Sequence, residues 1–317
     1  MRPGIGHARL DAGRGPAPGF RLTRDGPQSR CVYRPGMNRV SVITGGAGGM
    51  GVATAKVVGR DHTVVLCDVR QDRLAAAVTT LQDLGIKPTA VHCDVTDRDA
   101  VADVLDTARA LGPLASVIHT AGVSPSMGPA DYVLRTNAIG TLNVDEAFYA
   151  AAGEGAAVVN VASMAAHLLP AEVTPTTQFR LALRDRDAFI DAMLAACEIA
   201  PQEARSGLAY AVSKSFVKWY SQSQAERFSA RGLRIVSVSP GSIDTEMGRL
   251  EEQAGAGAMV TNAAIPRWGT PAEMGELLAF CASDKAGYLT GTDILNDGGV
   301  VASMTERAGV AAGDQTG

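Results

Sequence analysis

The chain has 317 residues, 46% of them apolar, 20% charged and 5% aromatic, with a formal net charge of −4. That is enough apolar material for one large α/β domain or two modest ones, and it excludes a mostly disordered chain. The 29 Lys and Arg against 33 Asp and Glu lack the positive excess of a phosphate-neutralising protein, and no apolar run has the length of a membrane span, so neither nucleic acid nor membrane is an expected partner.

Residues 1–36 stand apart in composition. Seven Arg, seven Gly and five Pro against two Asp give this stretch a net +5 and no core-forming pattern. A disordered basic leader is expected, or an upstream extension with Met37 as the natural start; a basic docking tail is the alternative. The stretch has neither the apolar segment of a secretory signal nor the pattern of an amphipathic targeting helix. The five cysteines are odd in number and scattered, with no C-x-x-C pair, which points to a reduced, cytoplasmic setting. His92-Cys93-Asp94 has no second ligand cluster, so no metal site is expected.

From Arg39 onward, β-branched runs at residues 40–44, 63–67, 89–92, 116–119, 157–161 and 234–238 are each followed by a longer Ala- and Leu-rich stretch, and a last strand is expected at 293–295. This alternation predicts repeated βαβ units: a single doubly wound α/β domain over residues 37–303 with a seven-stranded parallel sheet, and a flexible C-terminal tail over 304–317. Thr96-Asp97-Arg98-Asp99 reads as a capping box, and Thr270-Pro271-Ala272-Glu273 as a second with Pro at the first helical position.

Between the first strand and its helix lies Thr44-Gly45-Gly46-Ala47-Gly48-Gly49-Met50-Gly51. It reads as G-x-G-x-x-G through Gly46, Gly48 and Gly51, or as T-G-x-x-x-G-x-G through Gly45, Gly49 and Gly51. Missing side chains let such a backbone turn sharply and bring a pyrophosphate to the helix N-terminus, so Gly45, Gly49, Met50 and Gly51 are candidate dinucleotide contacts. There is no G-K-[ST], which disfavours a nucleoside triphosphatase. Asp68 ends the second strand 17 positions after Gly51. A carboxylate there accepts both ribose hydroxyls of NAD and repels the extra phosphate of NADP; Arg70 nearby would soften that preference.

Tyr210-Ala211-Val212-Ser213-Lys214 puts Tyr and Lys four apart on one helical face. Bringing a tyrosine from its usual pKa of about 10 to neutrality takes about three units, or ~4 kcal/mol, which a neighbouring ammonium and a cationic nicotinamide ring are suited to supply. Ser163 follows the strand 157–161, at the carboxyl edge where parallel sheets place ligands, and is a candidate to hold a substrate oxygen.

With these motifs in this order, residues 39–299 resemble the short-chain dehydrogenase/reductase family, with its Rossmann fold. The resemblance adds an adenine-contacting pair at Asp94-Val95, the A-G after the fourth strand at Ala121-Gly122, a helix Asn at Asn137, and the segment Pro240-Gly241-Ser242-Ile243-Asp244-Thr245. It implies Tyr210 as general acid/base, Ser163 orienting the carbonyl or alcohol, and Lys214 on the nicotinamide ribose lowering the Tyr210 pKa. It further implies Asn137 supporting a water-borne proton relay, Thr245 with Ile243 holding the carboxamide, and Pro240 and Gly241 beside the cofactor. The family's usual N-N-A-G is here His119-Thr120-Ala121-Gly122. Gly122 and Asn137 are only 15 positions apart, and Ser163 and Tyr210 are 47 apart.

The long spacing holds an insertion over about residues 165–206 with helical-looking runs such as 189–196, for which a substrate lid, an altered subunit interface and an inert surface subdomain are all open. The short loop before Asn137 and this insertion resemble the bacterial 3α-hydroxysteroid dehydrogenase/carbonyl reductase branch. Residues 246–268 form a Gly- and Ala-rich stretch in which Met247, Leu250, Met259 and Ile265 are candidate pocket walls, or simple helix packing. The expected activity is an NAD-dependent interconversion of a secondary alcohol and a ketone on a hydrophobic substrate such as a hydroxysteroid. The alternatives are a 3-oxoacyl-thioester reductase and a non-catalytic NAD-binding regulator. The resemblance implies a homodimer or homotetramer.

Overall fold

A computed structural model describes residues 38–252 and 257–313; the expected leader at 1–36 lies outside the described residues. The first half runs β1 (Val40–Thr44), α1 (Gly49–Val58), β2 (Thr63–Asp68), α2 (Gln71–Gln82), β3 (Thr89–His92) and α3 (Arg98–Leu111). After β4 (Leu114–His119) come α4 (Ala130–Leu134), α5 (Gly140–Ala151) and β5 (Ala157–Val161). The insertion follows as α6 (Ala165–Leu168), α7 (Thr176–Phe179) and α8 (Arg186–Cys197). The chain ends through α9 (Arg205–Ser223), α10 (Ala225–Ser229), β6 (Arg234–Pro240), α11 (Glu246–Glu251), α12 (Gly257–Asn262), α13 (Pro271–Ala282), β7 (Asp293–Asn296) and α14 (Val300–Gly313).

Among the described residues the seven strands form one all-parallel sheet in the order β3-β2-β1-β4-β5-β6-β7. β1, β4, β5 and β6 are buried along their whole length, which is why they read as continuous apolar runs rather than alternating ones. α1, α2 and α13 cover one face with Ala55, Leu74, Leu81, Met274 and Leu278. α3, α4, α5, α8 and α9 cover the other. The chain runs outward through β2 and β3, then returns to place β4 beside β1, so a crevice opens between the carboxyl ends of β1 and β4, where open α/β sheets bind ligands.

Three local expectations are corrected. Asp97, not Thr96, caps α3, accepting from the N–H groups of Asp99 and Ala100, while Thr96 donates its N–H and hydroxyl to Asp94. The Thr270 box, by contrast, forms in full with Glu273. The tail expected from residue 304 is instead helical through Gly313, because Asp297 receives the N–H groups of Gly299 and Val301 at the start of α14 and Arg307 holds Asn262. The insertion's apolar face is buried inside the chain: Phe179, Phe189, Ile190 and Met193 pack in the same core as Phe216 and Tyr220 of α9. It is therefore neither an inert surface subdomain nor, beyond Ala165 and Leu168 at its start, a cover for the crevice.

Candidate active site

β1 delivers the chain into the glycine loop, and Gly49, Met50 and Gly51 make the first turn of α1. Gly45 has φ +61°, and a Cβ there would lie 2.7 Å from the Ala121 nitrogen, so the loops after β1 and β4 approach as only glycine permits. Gly48 caps α1 without any side-chain hydrogen bond, leaving the first-turn amides for an anionic ligand. Asp68 closes the other side of the loop: Oδ2 accepts from Ala47 N–H at 3.1 Å and Oδ1 from Arg70 N–H at 3.0 Å. The Arg70 guanidinium pairs with Asp72 at 3.3 Å on the surface. An uncapped helix start beside a glycine cradle and a fixed carboxylate suits a nicotinamide dinucleotide.

Asp94 and Val95 sit where β3 ends. Asn143 of α5 donates to the Val95 carbonyl at 2.9 Å, and Arg186 from the insertion donates to Asn143 Oδ1 at 2.6 Å, so α8 braces this turn. Ala121 N–H donates to Thr44 Oγ1 at 3.3 Å, which ties the A-G segment to β1. At the end of β6, Pro240 accepts from Met164 N–H and Gly241 donates to Asn296, both across the sheet end. Ile243 bridges to Gly269, and Thr245 caps α11 through Gly248 N–H at 3.0 Å.

Ser163, Tyr210, Lys214 and Asn137 converge over the β4 and β5 edge. A Cβ placed on Gly122 would lie 3.0 Å from Asn137 Oδ1 and 3.3 Å from Lys214 Nζ, so both side chains reach one point. Lys214 is buried with Nζ donating to the Val161 carbonyl at 2.8 Å, and burial pushes its pKa down to about 8. Its Nζ is 5.9 Å from the Tyr210 ring centre. Burial raises the Tyr210 pKa, a hydrogen bond with Ser163 pulls it down, and the charge of Glu251 raises it. Ser163 Oγ accepts from Ala165 N–H at 3.2 Å, which leaves its hydroxyl proton to donate.

Asn137 lies in a π-turn, Arg135–Ile139, inserted between α4 and α5. Its amide is fully engaged: Oδ1 accepts from Val123 N–H at 2.9 Å, and Nδ2 donates to the Val123 carbonyl and Ser213 Oγ. A water relay would therefore use the Asn137 carbonyl, not the side chain.

His119 takes the place of the family's first Asn. Thr141 donates to the Asn137 carbonyl at 2.7 Å, so its oxygen accepts from His119 Nε2 at 3.1 Å, and Nδ1 accepts from Thr44 Oγ1 at 2.6 Å. This order of donors assigns the Nε2–H tautomer. Burial, with Lys214 as a second cause, pushes the His119 pKa down to about 3, so the ring stays neutral. Sequence reasoning missed this path from Ala121 to Asn137, because Thr141 is brought to His119 only by the packing of α5 on β4.

These groups open into a cavity of about 340 Å³ walled by Met164, Leu168, Met247, Met259 and Trp268. Met247 and Met259 face it as expected. Leu250 is exposed, and Ile265 lines a separate cavity beneath α14, so neither is a wall here. Glu251 and Trp268 are further walls that no motif or spacing singles out. Among the described residues no group of His, Cys, Asp and Glu is arranged to hold a metal, and no helix is long and apolar enough to cross a membrane.

The short chain dehydrogenase family profile matches residues 39–175, and the profile described as enoyl-(acyl carrier protein) reductase matches residues 191–301. The chain is 30% identical over 273 residues to the short-chain dehydrogenase/reductase bsc3 of Alternaria brassicicola, covering 85% of this chain and 98% of that protein. It is 26% identical over 279 residues to 3beta-hydroxysteroid dehydrogenase 2 of Eggerthella lenta, covering 82% and 94%. A short chain dehydrogenase from Burkholderia cenocepacia, solved in complex with NADP, superposes with a TM-score of 0.65 at 25% identity, covering 83% and 97% of the two chains. The chain belongs to the short-chain dehydrogenase/reductase family, nicotinamide-dependent oxidoreductases acting on CH–OH groups.

Proposed function

We propose that the chain interconverts a secondary alcohol and a ketone on an apolar, ring-bearing substrate such as a hydroxysteroid, with NAD as the preferred cofactor. The observation behind this reading is the cavity itself: Ser163 and Tyr210 stand at one end of a methionine- and tryptophan-walled space of a size that suits small molecules. Preference for NAD is supported by Asp68, held rigidly at the glycine loop, and by the engagement of Arg70 with Asp72. The kinship with the 3α-hydroxysteroid dehydrogenase/carbonyl reductase branch, a cytoplasmic setting and self-association as a dimer or tetramer belong to the same proposal and rest on resemblance.

The dinucleotide would be held by Gly45, Gly49, Met50, Gly51, Asp68, Asp94, Val95, Ala121, Gly122, Tyr210, Lys214, Pro240, Gly241, Ile243 and Thr245, and supplies the hydride acceptor or donor. In the oxidation direction Tyr210 Oη takes the alcohol proton; in reduction it returns a proton to the carbonyl oxygen. Ser163 donates to the same oxygen, which fixes it beside the phenol. Before that oxygen is engaged, the same hydroxyl proton is shared with Tyr210, and this hydrogen bond favours the phenolate that proton abstraction needs. Lys214, oriented by Val161, adds positive charge near the ring below about pH 8. Asn137 holds Val123 and so shapes the cavity floor. A 3-oxoacyl-thioester reductase is the weaker reading, since a phosphate-bearing carrier would meet Glu251 at the cavity rather than a free cation.

The test is NADH formation from NAD with a panel of 3α-hydroxysteroids and simple secondary alcohols, with Tyr210→Phe as the blank. Steroid-selective turnover that is lost in the variant supports the proposal. Turnover of simple alcohols alone removes the steroid, and no turnover in either direction despite NADH binding removes the enzyme.

A further inference from the structure

We propose that Glu251 makes this cavity selective for uncharged alcohols and ketones, by placing an uncompensated carboxylate at the substrate end that rejects compounds carrying a carboxylate or phosphate. The inference rests on the reading of the cavity as the substrate pocket.

Among the described residues, Lys214 and Glu251 are the two charged side chains that line the cavity. Lys214 is 6% exposed, sits under Gly122 and donates to Val161, so it is on the cofactor side and withdrawn from a substrate's far end. Glu251 is the last residue of α11, and its Oε1 accepts from Ser126 N–H at 3.1 Å in the 3-10 turn Pro125–Met127. That bond spans two segments that both wall the cavity, since Ser124, Pro125, Met247 and Gly248 line it with Glu251. The carboxylate is therefore fixed at the wall, and Oε2 takes no hydrogen bond among the described residues.

Among the described residues, the cations on and beside α11 are engaged with other acids. Arg249 donates to Asp244 at 2.7 Å and to Glu252 at 3.2 Å while lying 4.4 Å over the Trp268 ring, and Arg73 pairs with Glu246. Around α11, among the described residues, the acids Asp244, Glu246, Glu251 and Glu252 thus outnumber Arg249 and Arg73. The same charge reaches Tyr210, whose ionisation it opposes. Met, Trp, Leu and Pro side chains make up much of the wall, and the neutral hydroxyls beside them, such as Ser124 and Ser242, replace only part of an incoming anion's hydration. A neutral ring meets apolar walls; an acidic one meets repulsion between like charges in a partly desolvated space.

The experiment compares reduction of 4-methylcyclohexanone and 4-oxocyclohexanecarboxylate, similar in size and different in charge, by the full chain and by Glu251→Gln and Glu251→Lys. The native chain should favour the neutral ketone by at least about tenfold in kcat/KM, and the gap should narrow as salt rises from about 50 to 500 mM. Glu251→Gln should bring the ratio near unity and remove its salt dependence, and Glu251→Lys should invert it. An unchanged ratio and salt slope in Glu251→Gln, with the neutral ketone still reduced, overturns the inference and leaves the proposed activity standing. If neither ketone is reduced although NADH binds, the proposed activity loses this substrate class. The inference is then decided by binding alone: cyclohexanecarboxamide should bind more tightly than cyclohexanecarboxylate to the native chain and not to Glu251→Gln, read by tryptophan fluorescence. Equal binding of the two by the native chain overturns it.

Discussion

Thr44 and His119 are joined across the β1–β4 seam by a 2.6 Å hydrogen bond from Oγ1 to Nδ1, entirely out of solvent. Through it the backbone N–H of Ala121 is linked by Thr44, His119 and Thr141 to the carbonyl of Asn137. His119→Leu leaves the Thr44 donor and the Thr141 acceptor buried without their partner, at about 1–3 kcal/mol each. The variant should melt lower and lose turnover through misplacement of the Ala121-Gly122 turn. His119→Asn, which restores an amide, should recover part of both. Thermal melts and NADH affinity together check this; an unaltered melt for His119→Leu contradicts the hydrogen-bonded path.

Asp68 is fixed by two backbone donors, the N–H groups of Ala47 and Arg70. In the proposed dinucleotide site, Asp68→Ala would remove an acceptor for the ribose hydroxyls and a charge opposed to a 2′-phosphate. NADH affinity should fall about tenfold, an expectation of ~1.4 kcal/mol for a lost charged hydrogen bond, while NADPH affinity rises or holds. Titrating both dinucleotides into native and variant protein measures the change in ratio, and an unchanged ratio removes Asp68 from the ribose site.

The strands were legible because buried parallel strands need continuous β-branched runs, and each of the seven expected runs lies within a strand of the sheet. Tyr210, Lys214 and Ser163 were legible because local spacing and a strand end suffice to place them. Which side of a short helix faces a cavity is a different matter. Met247 and Leu250 lie three apart on the six-residue α11, yet one lines the cavity and the other is exposed, since the direction of approach is set by Trp268 and the loop at Ser126. Thr96 and Asp97 are both good caps, and only the contact of Thr96 with Asp94 decides between them. The departure at His119 was legible but its hydrogen-bonded path was not, and Glu251 had no signal at all, because the partners of both are distant in sequence.

The insertion owes its place to aromatic packing. Phe189 is fully buried and its ring centre lies 4.6 Å from that of Phe216 on α9, the helix that also bears Tyr210 and Lys214. Phe189→Ala should cost about 3–5 kcal/mol by leaving a cavity under α9. Urea unfolding of the variant measures it, and a loss below about 1 kcal/mol would mean that α8 is only loosely attached.

Asp145 of α5 is buried in the core and meets Asn160 of β5, whose Nδ2 donates to Asp145 Oδ2 at 2.7 Å, while Asp145 Oδ1 and Asn160 Oδ1 have no hydrogen-bond partner among the described residues. Burial, the largest cause, pushes its pKa up to about 8, against an unfolded value of 3.8. Between those two values the folded chain binds the proton more tightly than the unfolded chain. The sign follows: this group lowers stability as pH rises from about 4 to 8, and its effect levels off above that range. Asp145→Asn keeps the shape, removes the charge and supplies an amide donor beside the unpartnered Asn160 oxygen. The native protein should therefore lose melting temperature across this window, whereas Asp145→Asn should flatten the profile and melt on the order of 5 °C higher at pH 8. Parallel profiles for the two proteins would show that Asp145 is not the group being titrated.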